Sequence, residues 1–176
     1  MKQLIYLLVF FSLYTTAQEK YITKTGSINF EASVPSFEEV AAKNDAVTAI
    51  INSENGDFAS LVLVKGFRFK NALMEEHFNE NYAESSEFPK ATFKGVLKDY
   101  KNASGDYKIE GTLTFHGVTK QLENVTVTLN KSDSSITMSG AFSVLASDFG
   151  IKIPKIVKKK LSDEVQVSFN FELQKK

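Results

Sequence analysis

The sequence contains no cysteine, and this excludes several kinds of chemistry and anchoring at once. Without thiols the chain cannot form disulfide bonds, thiolate nucleophiles or cysteine-ligated metal sites. A lipoprotein anchor is excluded as well, because it needs a lipidated cysteine. The domain must therefore be stabilised by its hydrophobic core, and 176 residues are enough to bury such a core in one domain.

The sequence also has no excess of charge of either sign, and it has no recognisable catalytic motif. The 21 basic and 21 acidic residues give a formal net charge of zero, which argues against binding nucleic acid through counterion release. There is no Gly-x-Ser-x-Gly elbow and no glycine-rich phosphate loop. The two histidines, His77 and His116, are too few for a metal site, so we expect both to be solvated or hydrogen-bonded. We expect no enzymatic activity, no cofactor and no bound metal.

Long apolar runs are confined to the N-terminus. The run Leu4–Leu13 is apolar apart from Ser12, follows a short basic start and precedes the small residues Thr15–Ala17. It is too short to span a bilayer comfortably and is typical of a secretory signal peptide. We therefore expect a signal peptide at residues 1–17, a mature domain at residues 18–176, and a periplasmic or secreted location.

Strict alternation of apolar and polar residues is what the sequence has in abundance. In the run Tyr107–Phe115 the apolar side chains share one face and the polar ones the other, which predicts a pleated strand with one dry face. The same reading predicts strands at Tyr21–Glu31, Ala46–Ser53, Asp57–Phe69, Ala91–Tyr100, Val125–Leu129, Ile136–Leu145 and Glu164–Leu173. Asn55-Gly56 is a strong hairpin signal between two of them. A meander of this kind closes naturally into a barrel.

Three segments break the alternation. Apolar residues recur at helical spacing between Asn71 and Ala83, which predicts an amphipathic helix packed against the barrel. The run Ile153–Leu161, with Pro154 near its start, predicts a second short helix. Phe37–Lys43 could form a helical turn. The predicted fold is all-β, an extended antiparallel lipocalin-like barrel of about eight strands with one or two short helices.

Several blocks in their order resemble the YceI-like family over the whole mature chain. The blocks are Phe67–Phe69, Leu73–Tyr82, Phe88–Gly95 (Phe-Pro-Lys-Ala-Thr-Phe-Lys-Gly), Gly111–Lys120 (Gly-Thr-Leu-Thr-Phe-His-Gly-Val-Thr-Lys) and Asp148–Ile151. The resemblance implies an exported lipocalin-like barrel that holds a polyisoprenoid or another long amphiphile in its lumen. One departure is that Ser27–Ala32 lacks the histidine that many relatives have there, so we expect any polar groups that recognise a head group at the barrel mouth to differ here.

The inward faces of the predicted strands supply the candidate ligand-binding residues. These are Phe30, Phe93, Leu97, Ile109, Gly111, Leu113, Phe115, Met138, Gly140, Phe142, Val167 and Phe169. Gly95, Gly111 and Gly140 fall in register with the apolar residues, so they could leave room in the lumen or mark bends. We expect a bulky residue at Gly111 or Gly140 to block ligand entry.

Two functions stay open at this point. The first is a lipid-binding protein that threads an isoprenoid-like tail into a phenylalanine-rich lumen. The alternative is a non-catalytic structural or adaptor barrel whose lumen is filled and which acts through its outer surface, because strand pattern alone cannot separate hollow from packed barrels. The sequence does not fix the ligand's identity, its transport, storage or sensing role, or whether the chain is a monomer or a homodimer.

Two basic features have both a functional and a plain interpretation. Lys155, Lys158, Lys159 and Lys160 could meet a diphosphate head group or make transient contact with an anionic membrane surface, or they could simply be a solvated face. Arg68, the single arginine, could clamp an anion or form an ordinary salt bridge.

Overall fold

The computed structural model describes residues 19–34 and 39–176 of the chain. The predicted signal peptide at residues 1–17 lies outside the described residues. The described residues form nine β-strands and one short α-helix. They contain no helix that is long and apolar enough to cross a membrane. The strands are β1 (Lys20–Ser33), β2 (Ala41–Asn52), β3 (Asp57–Leu63), β4 (Arg68–Phe69), β5 (Lys90–Leu97), β6 (Gly105–Phe115), β7 (Val118–Lys131), β8 (Ser135–Leu145) and β9 (Leu161–Lys175), and the helix is α1 (Ala72–His77).

Eight of the nine strands form a closed antiparallel barrel. Neighbours follow the order β1, β9, β8, β7, β6, β5, β3, β2, and β1 also pairs with β2, which closes the ring. The two-residue strand β4 lies outside this ring and extends the sheet beside β2, where Phe69 pairs with Ala42. The predicted fold class is confirmed. Its cause is the long run of period-two segments joined mostly by short turns.

One end of the barrel is closed by a compact apolar core. The side chains of Tyr21, Ile51, Leu129, Ile136 and Leu173 are almost completely buried there. The β2–β3 hairpin lies at this end, and Gly56 adopts a left-handed φ of 76° as the Asn-Gly signal predicts. The other end carries α1, the β6–β7 turn and the segment between β8 and β9. Any interior space must therefore open toward this second end, which we call the mouth.

The helix near the mouth is shorter than the sequence indicates. The regular helix α1 spans Ala72–His77, and Phe78–Tyr82 continues it as one wider turn. Its start is fixed by Asn71, whose side-chain oxygen accepts a hydrogen bond of 2.9 Å from the Leu73 N–H. Arg68 forms a salt bridge with Glu75 at 2.9 Å, so its ordinary interpretation holds.

Three local predictions are wrong in ways that have physical causes. No second helix forms over Ile153–Leu161. The chain makes single turns there, with the Val157 N–H donating to the Pro154 carbonyl. Lys155 and Lys159 lie four residues apart, and like charges at this spacing destabilise a helix. Of the helical turn predicted at Phe37–Lys43, residues 37 and 38 lie outside the described residues, and residues 41–43 are strand, since β2 pairs with β1 up to Ala41. The predicted strand Asp57–Phe69 is broken by a tight turn at Val64–Gly66.

A tyrosine at the closed end, Tyr100, should make the stability of the fold depend on pH in the alkaline range. The Tyr100 ring packs edge-on against Tyr107 at 5.4 Å between ring centroids, and burial, reinforced by nearby Tyr107, raises the pKa of Tyr100 to about 12. Because the pKa of Tyr100 is higher in the folded protein than in the unfolded chain, where it is about 10, the neutral phenol contributes its full stabilisation below about pH 10. This contribution is lost as the pH rises through the pKa of the folded protein. The free energy of unfolding, measured with a chemical denaturant between about pH 9 and pH 12, should fall as the pH rises across the two pKa values. The fall should be smaller in Tyr100→Phe, which has no phenol to ionise. Equal declines in both proteins would contradict the assignment.

Candidate ligand-binding cavity

The mouth half of the barrel is hollow. A cavity of about 380 Å³ extends from the floor of the barrel to α1 and the segment before β9, and its lining is almost entirely apolar. Its floor is formed by Met138, Ile109, Phe171 and Phe58, whose side chains are all buried. Cavities of this size and polarity are typical of sites for small apolar ligands.

Phenylalanine rings form two groups around this space. In the first, the Phe30 ring contacts Phe67, Phe69 and Phe78 at centroid distances of 5.1, 5.7 and 5.2 Å. This group fastens the turn after α1 to β1 and β4. Its mixture of tilted and edge-on rings is the arrangement that aromatic quadrupoles favour.

The second group is a row of rings along the cavity wall. Phe58 contacts Phe93 at 6.2 Å and Phe171 at 5.7 Å, and Phe169 continues the row with centroid distances of 5.2 Å to Phe171 and 6.5 Å to Phe142. The row arises because Phe169 and Phe171 are two residues apart on β9 and so point to the same face. It gives the cavity a flat, continuous apolar wall.

The structure brings most of the predicted site residues together. Nine of the twelve line the cavity, namely Phe30, Phe93, Ile109, Leu113, Phe115, Met138, Phe142, Val167 and Phe169. The other three do not. Leu97 also points inward but belongs to the core at the closed end and is 3% exposed. Gly111 and Gly140 are not part of the cavity lining.

Close backbone approach explains the glycines on the inward faces. Gly95 and Gly111 are directly paired across β5 and β6. A Cβ atom at Gly111 would lie 2.2 Å from the Lys94 carbonyl oxygen and 2.5 Å from the Gly95 Cα. At Gly140 a Cβ would meet the Phe169 ring at 2.7 Å. Block of ligand entry by a bulky residue at Gly111 or Gly140 stays a prediction, but at Gly111 the first atom added already collides with the backbone, so such a variant would also strain the fold.

The candidate list missed inward strand residues such as Phe58, Val144 and Phe171, and it also missed cavity residues that lie outside the strands. Phe67, Phe149 and Val157 line the cavity from turns, and Met74 and Phe78 line it from the helical segment. Met74 and Phe78 were assigned to the predicted helix and Phe67 to a predicted strand, but neither pattern placed these side chains in the lumen. Strand periodicity cannot show where such a side chain points.

Polar side chains reach the cavity mainly at its mouth. His77, Tyr82 and Lys160 contribute to the lining there. The part of the chain that the structure describes contains no group of three or more histidine, aspartate or glutamate residues placed to hold a metal ion. The arrangement suits an apolar chain with a polar end better than it suits bond-making chemistry.

His116 connects three segments of the rim. Its Nδ1 lies 2.9 Å from the Phe149 carbonyl oxygen and its Nε2 lies 2.7 Å from Glu84 Oε2. The Phe88 ring packs edge-on against the imidazole at a centroid distance of 4.6 Å. The residue is hydrogen-bonded, as expected, and it fixes the turn that carries Phe149 against the barrel.

Comparison with known proteins places the chain in a recognised group of barrels. The family model for the YceI-like domain matches residues 17–173. The fold is similar to a polyisoprenoid-binding domain from Saccharophagus degradans implicated in plant cell wall breakdown, with a TM-score of 0.73 and 13% identity over 89% of this chain and 98% of that one. We found no match among curated proteins.

Two further solved structures share the fold. BcnA from Burkholderia cenocepacia has a TM-score of 0.70 and 17% identity, over 84% of this chain and 95% of that one. The YceI protein from Campylobacter jejuni has a TM-score of 0.58 and 17% identity, over 88% of this chain and 86% of that one. At these identities the likeness concerns the fold.

The glycine pair predicts a stability effect. Gly111→Ala should lower the free energy of unfolding by about 1–3 kcal/mol or more, as overpacking does, because the new Cβ must displace the Lys94 carbonyl. Thr112→Ala, at the next and exposed position of β6, is the matched control and should change little. Urea unfolding of both variants measures the difference. Equal stabilities would show that the strands can separate at this point without cost.

Proposed function

Because the chain belongs to the YceI-like family, we propose that it is an exported, non-catalytic protein that binds a long apolar, isoprenoid-like amphiphile inside the barrel. The observation that carries the proposal is the apolar cavity of about 380 Å³. Export rests on the signal-peptide pattern of residues 1–17. The polyisoprenoid-binding domain of similar fold gives independent support for the class of ligand.

Apolar burial would supply the affinity. Each Å² of apolar surface removed from water contributes about 25 cal/mol before the costs of association. A flexible chain loses conformational freedom on entering, so a smooth wall without polar groups is needed along its length. The row of rings from Phe93 to Phe142 provides such a wall, and the buried side chain of Met138 gives the chain an end stop.

The alternative of a filled structural barrel is less well supported. A filled lumen would leave the inward phenylalanines completely buried. Phe30, Phe93 and Phe169 are instead only partly buried and border open space. The site is assembled within one chain, so the proposal holds equally for a monomer and for a homodimer.

The mouth also carries a surface suited to a membrane. The segment from Lys152 to Lys160, which we call the basic loop, contains five lysines and no acidic residue. Ile156 in its middle is 89% exposed, whereas Ile153 and Val157 line the cavity. An exposed isoleucine among lysines favours transient docking on an anionic bilayer, and we propose that ligand exchange takes place there through Lys155, Lys158, Lys159 and Lys160.

Filling the cavity should abolish ligand binding. Leu113→Trp projects an indole into the space that the tail would occupy and should weaken the binding of a fluorescent prenyl alcohol at least about ten-fold, or about 1.4 kcal/mol. Thr112→Trp is the matched control, because the neighbouring side chain is exposed on the outer face of the same strand. Thermal unfolding checks that both variants are folded. If the control and Leu113→Trp bind equally well, the lumen is not the site, and if wild type binds no prenyl probe the proposed function fails.

The basic loop should control contact with anionic membranes. Replacing Lys155, Lys158, Lys159 and Lys160 together by glutamine should greatly reduce co-sedimentation with phosphatidylglycerol vesicles, since each lysine near such a surface contributes about 1 kcal/mol. Phosphatidylcholine vesicles should bind neither protein. The control replaces four exposed lysines elsewhere, at positions 24, 94, 101 and 176. Equal losses from both sets would indicate an effect of net charge alone.

A further inference from the structure

The barrel wall is incomplete between β7 and β8. These strands pair from Lys131 opposite Ile136 to Val127 opposite Gly140. Beyond that point, toward the mouth, Val118–Thr126 and Ala141–Leu145 have no ladder partners across the gap among the described residues. Both strands continue to pair normally on their other sides, with β6 and β9. The wall therefore parts along the mouth half of this one junction.

A bulge in β7 explains the separation. Ile109 pairs with Val125, but the next paired residue on that face, Gly111, faces Leu122, so β7 contains one extra residue there. Asn124 in the bulge adopts a left-handed φ of 57°, a conformation that asparagine tolerates better than most residues. A bulge bends its strand and increases the local twist. Here it turns the first half of β7 away from β8.

Side chains, rather than backbone hydrogen bonds, close the gap. Leu122, Val144 and Phe149 line the central cavity on one side and a second, outer pocket of about 220 Å³ on the other. Phe149 is held in place by the hydrogen bond from His116 to its carbonyl and by the neighbouring ion pair of Lys120 with Asp148 at 3.5 Å. These three side chains therefore lie between the apolar interior and this pocket.

The outer pocket is polar and carries both signs of charge. Apart from the three shared side chains and Leu145, its lining consists of Lys120, Gln121, Ser143, Asp148 and Glu164. These groups offer hydrogen-bond donors and acceptors together. The single lysine is already paired with Asp148, and Glu164 adds a second carboxylate. A strongly anionic head group would therefore be disfavoured, whereas a neutral hydroxyl or amide could both donate and accept.

We propose that this side pocket holds the head group of the bound amphiphile, whose tail passes between β7 and β8 into the cavity. The inference rests on the proposed function and adds to it a neutral, hydrogen-bonding head group and a lateral position for it. Leu122, Val144 and Phe149 are the side chains that must move to join the two spaces, and no ladder hydrogen bond between β7 and β8 has to break there. The mouth remains the face of the molecule that meets the membrane.

The absence of cysteine makes this pocket easy to probe. A thiol introduced by Ser143→Cys lies in the pocket, and one introduced by Ala141→Cys lies two residues away on the same outward face, outside the pocket lining. Saturating geranylgeraniol should slow maleimide labelling at position 143 at least about five-fold and leave position 141 unchanged, since labelling requires an accessible thiolate. The corresponding hydrocarbon without the hydroxyl should protect neither position.

The other outcomes of the labelling experiment separate failure of the side-pocket assignment from failure of the proposed function. If geranylgeraniol and the hydrocarbon both bind the wild-type protein but position 143 stays reactive, the head group lies elsewhere and the inference is overturned while the proposed function stands. If neither probe binds, the proposed function itself fails. Geranylgeranyl diphosphate should not protect position 143, and protection by it would overturn the assignment of a neutral head group.

An affinity measurement gives a second test. Ser143→Trp fills the pocket from outside and should weaken geranylgeraniol binding at least about ten-fold, with little change for the hydrocarbon. Ala141→Trp is the control and should bind both probes like the wild type. Equal losses for both probes in Ser143→Trp would mean that the cavity has been distorted, and no loss for either would place the head group outside this pocket. Both of these outcomes count against the proposal.

Discussion

Closure of the ring by β1 is the constraint on which the rest of the molecule depends. This strand pairs with β2 on one side and with β9 on the other, so the two ends of the chain's β-meander are held together by main-chain hydrogen bonds. Closure removes the long edges that β1 and β2 would otherwise expose to association with other chains. It also turns the alternation of side chains into an inside and an outside, and without an inside there is no cavity.

Closing eight strands so tightly forces pairs of backbones together, and the glycines mark where this happens. Gly95 opposite Gly111 lets β5 and β6 approach more closely than any side chain would allow. Gly26 accommodates the Phe171 ring, which would lie 2.4 Å from a Cβ atom at that position. The glycines therefore shape the wall and the floor of the cavity. They do so because the absence of a side chain lets a neighbouring backbone or ring approach closely. Their position in the sequence pattern was also consistent with empty space in the lumen.

The sequence predicts the inward side chains of regular strands better than it predicts residues at strand ends and in turns. Period-two alternation identifies inward side chains, which is why nine of the twelve proposed lining residues border the cavity. It does not show how deep along a strand a residue lies, so Leu97 was assigned to the lumen although it belongs to the closed end. The turn at Val64–Gly66 interrupts the alternation that had placed Phe67 in a strand, and Phe149 lies in a turn that has no periodicity, so both were missed. The basic loop fits a helical spacing, but its like charges four residues apart, Lys155 and Lys159, disfavour a helix.

Near the mouth the ring gives up ladder pairing between β2 and β3 and between β7 and β8, and these two places differ in how they are repaired. Near the mouth β2 leaves β3, but β4 pairs with it there, and the buried Asn44 side chain donates to the Leu63 carbonyl at 3.0 Å. A Cβ at Gly66 would lie 2.5 Å from that amide, so the glycine makes room for the repair. Between β7 and β8 no such strand or amide bridges the gap among the described residues. Unpaired backbone groups are costly in a dry wall, and they are tolerated here because the adjoining pocket is polar. The same polarity makes the gap suitable for the polar end of a ligand.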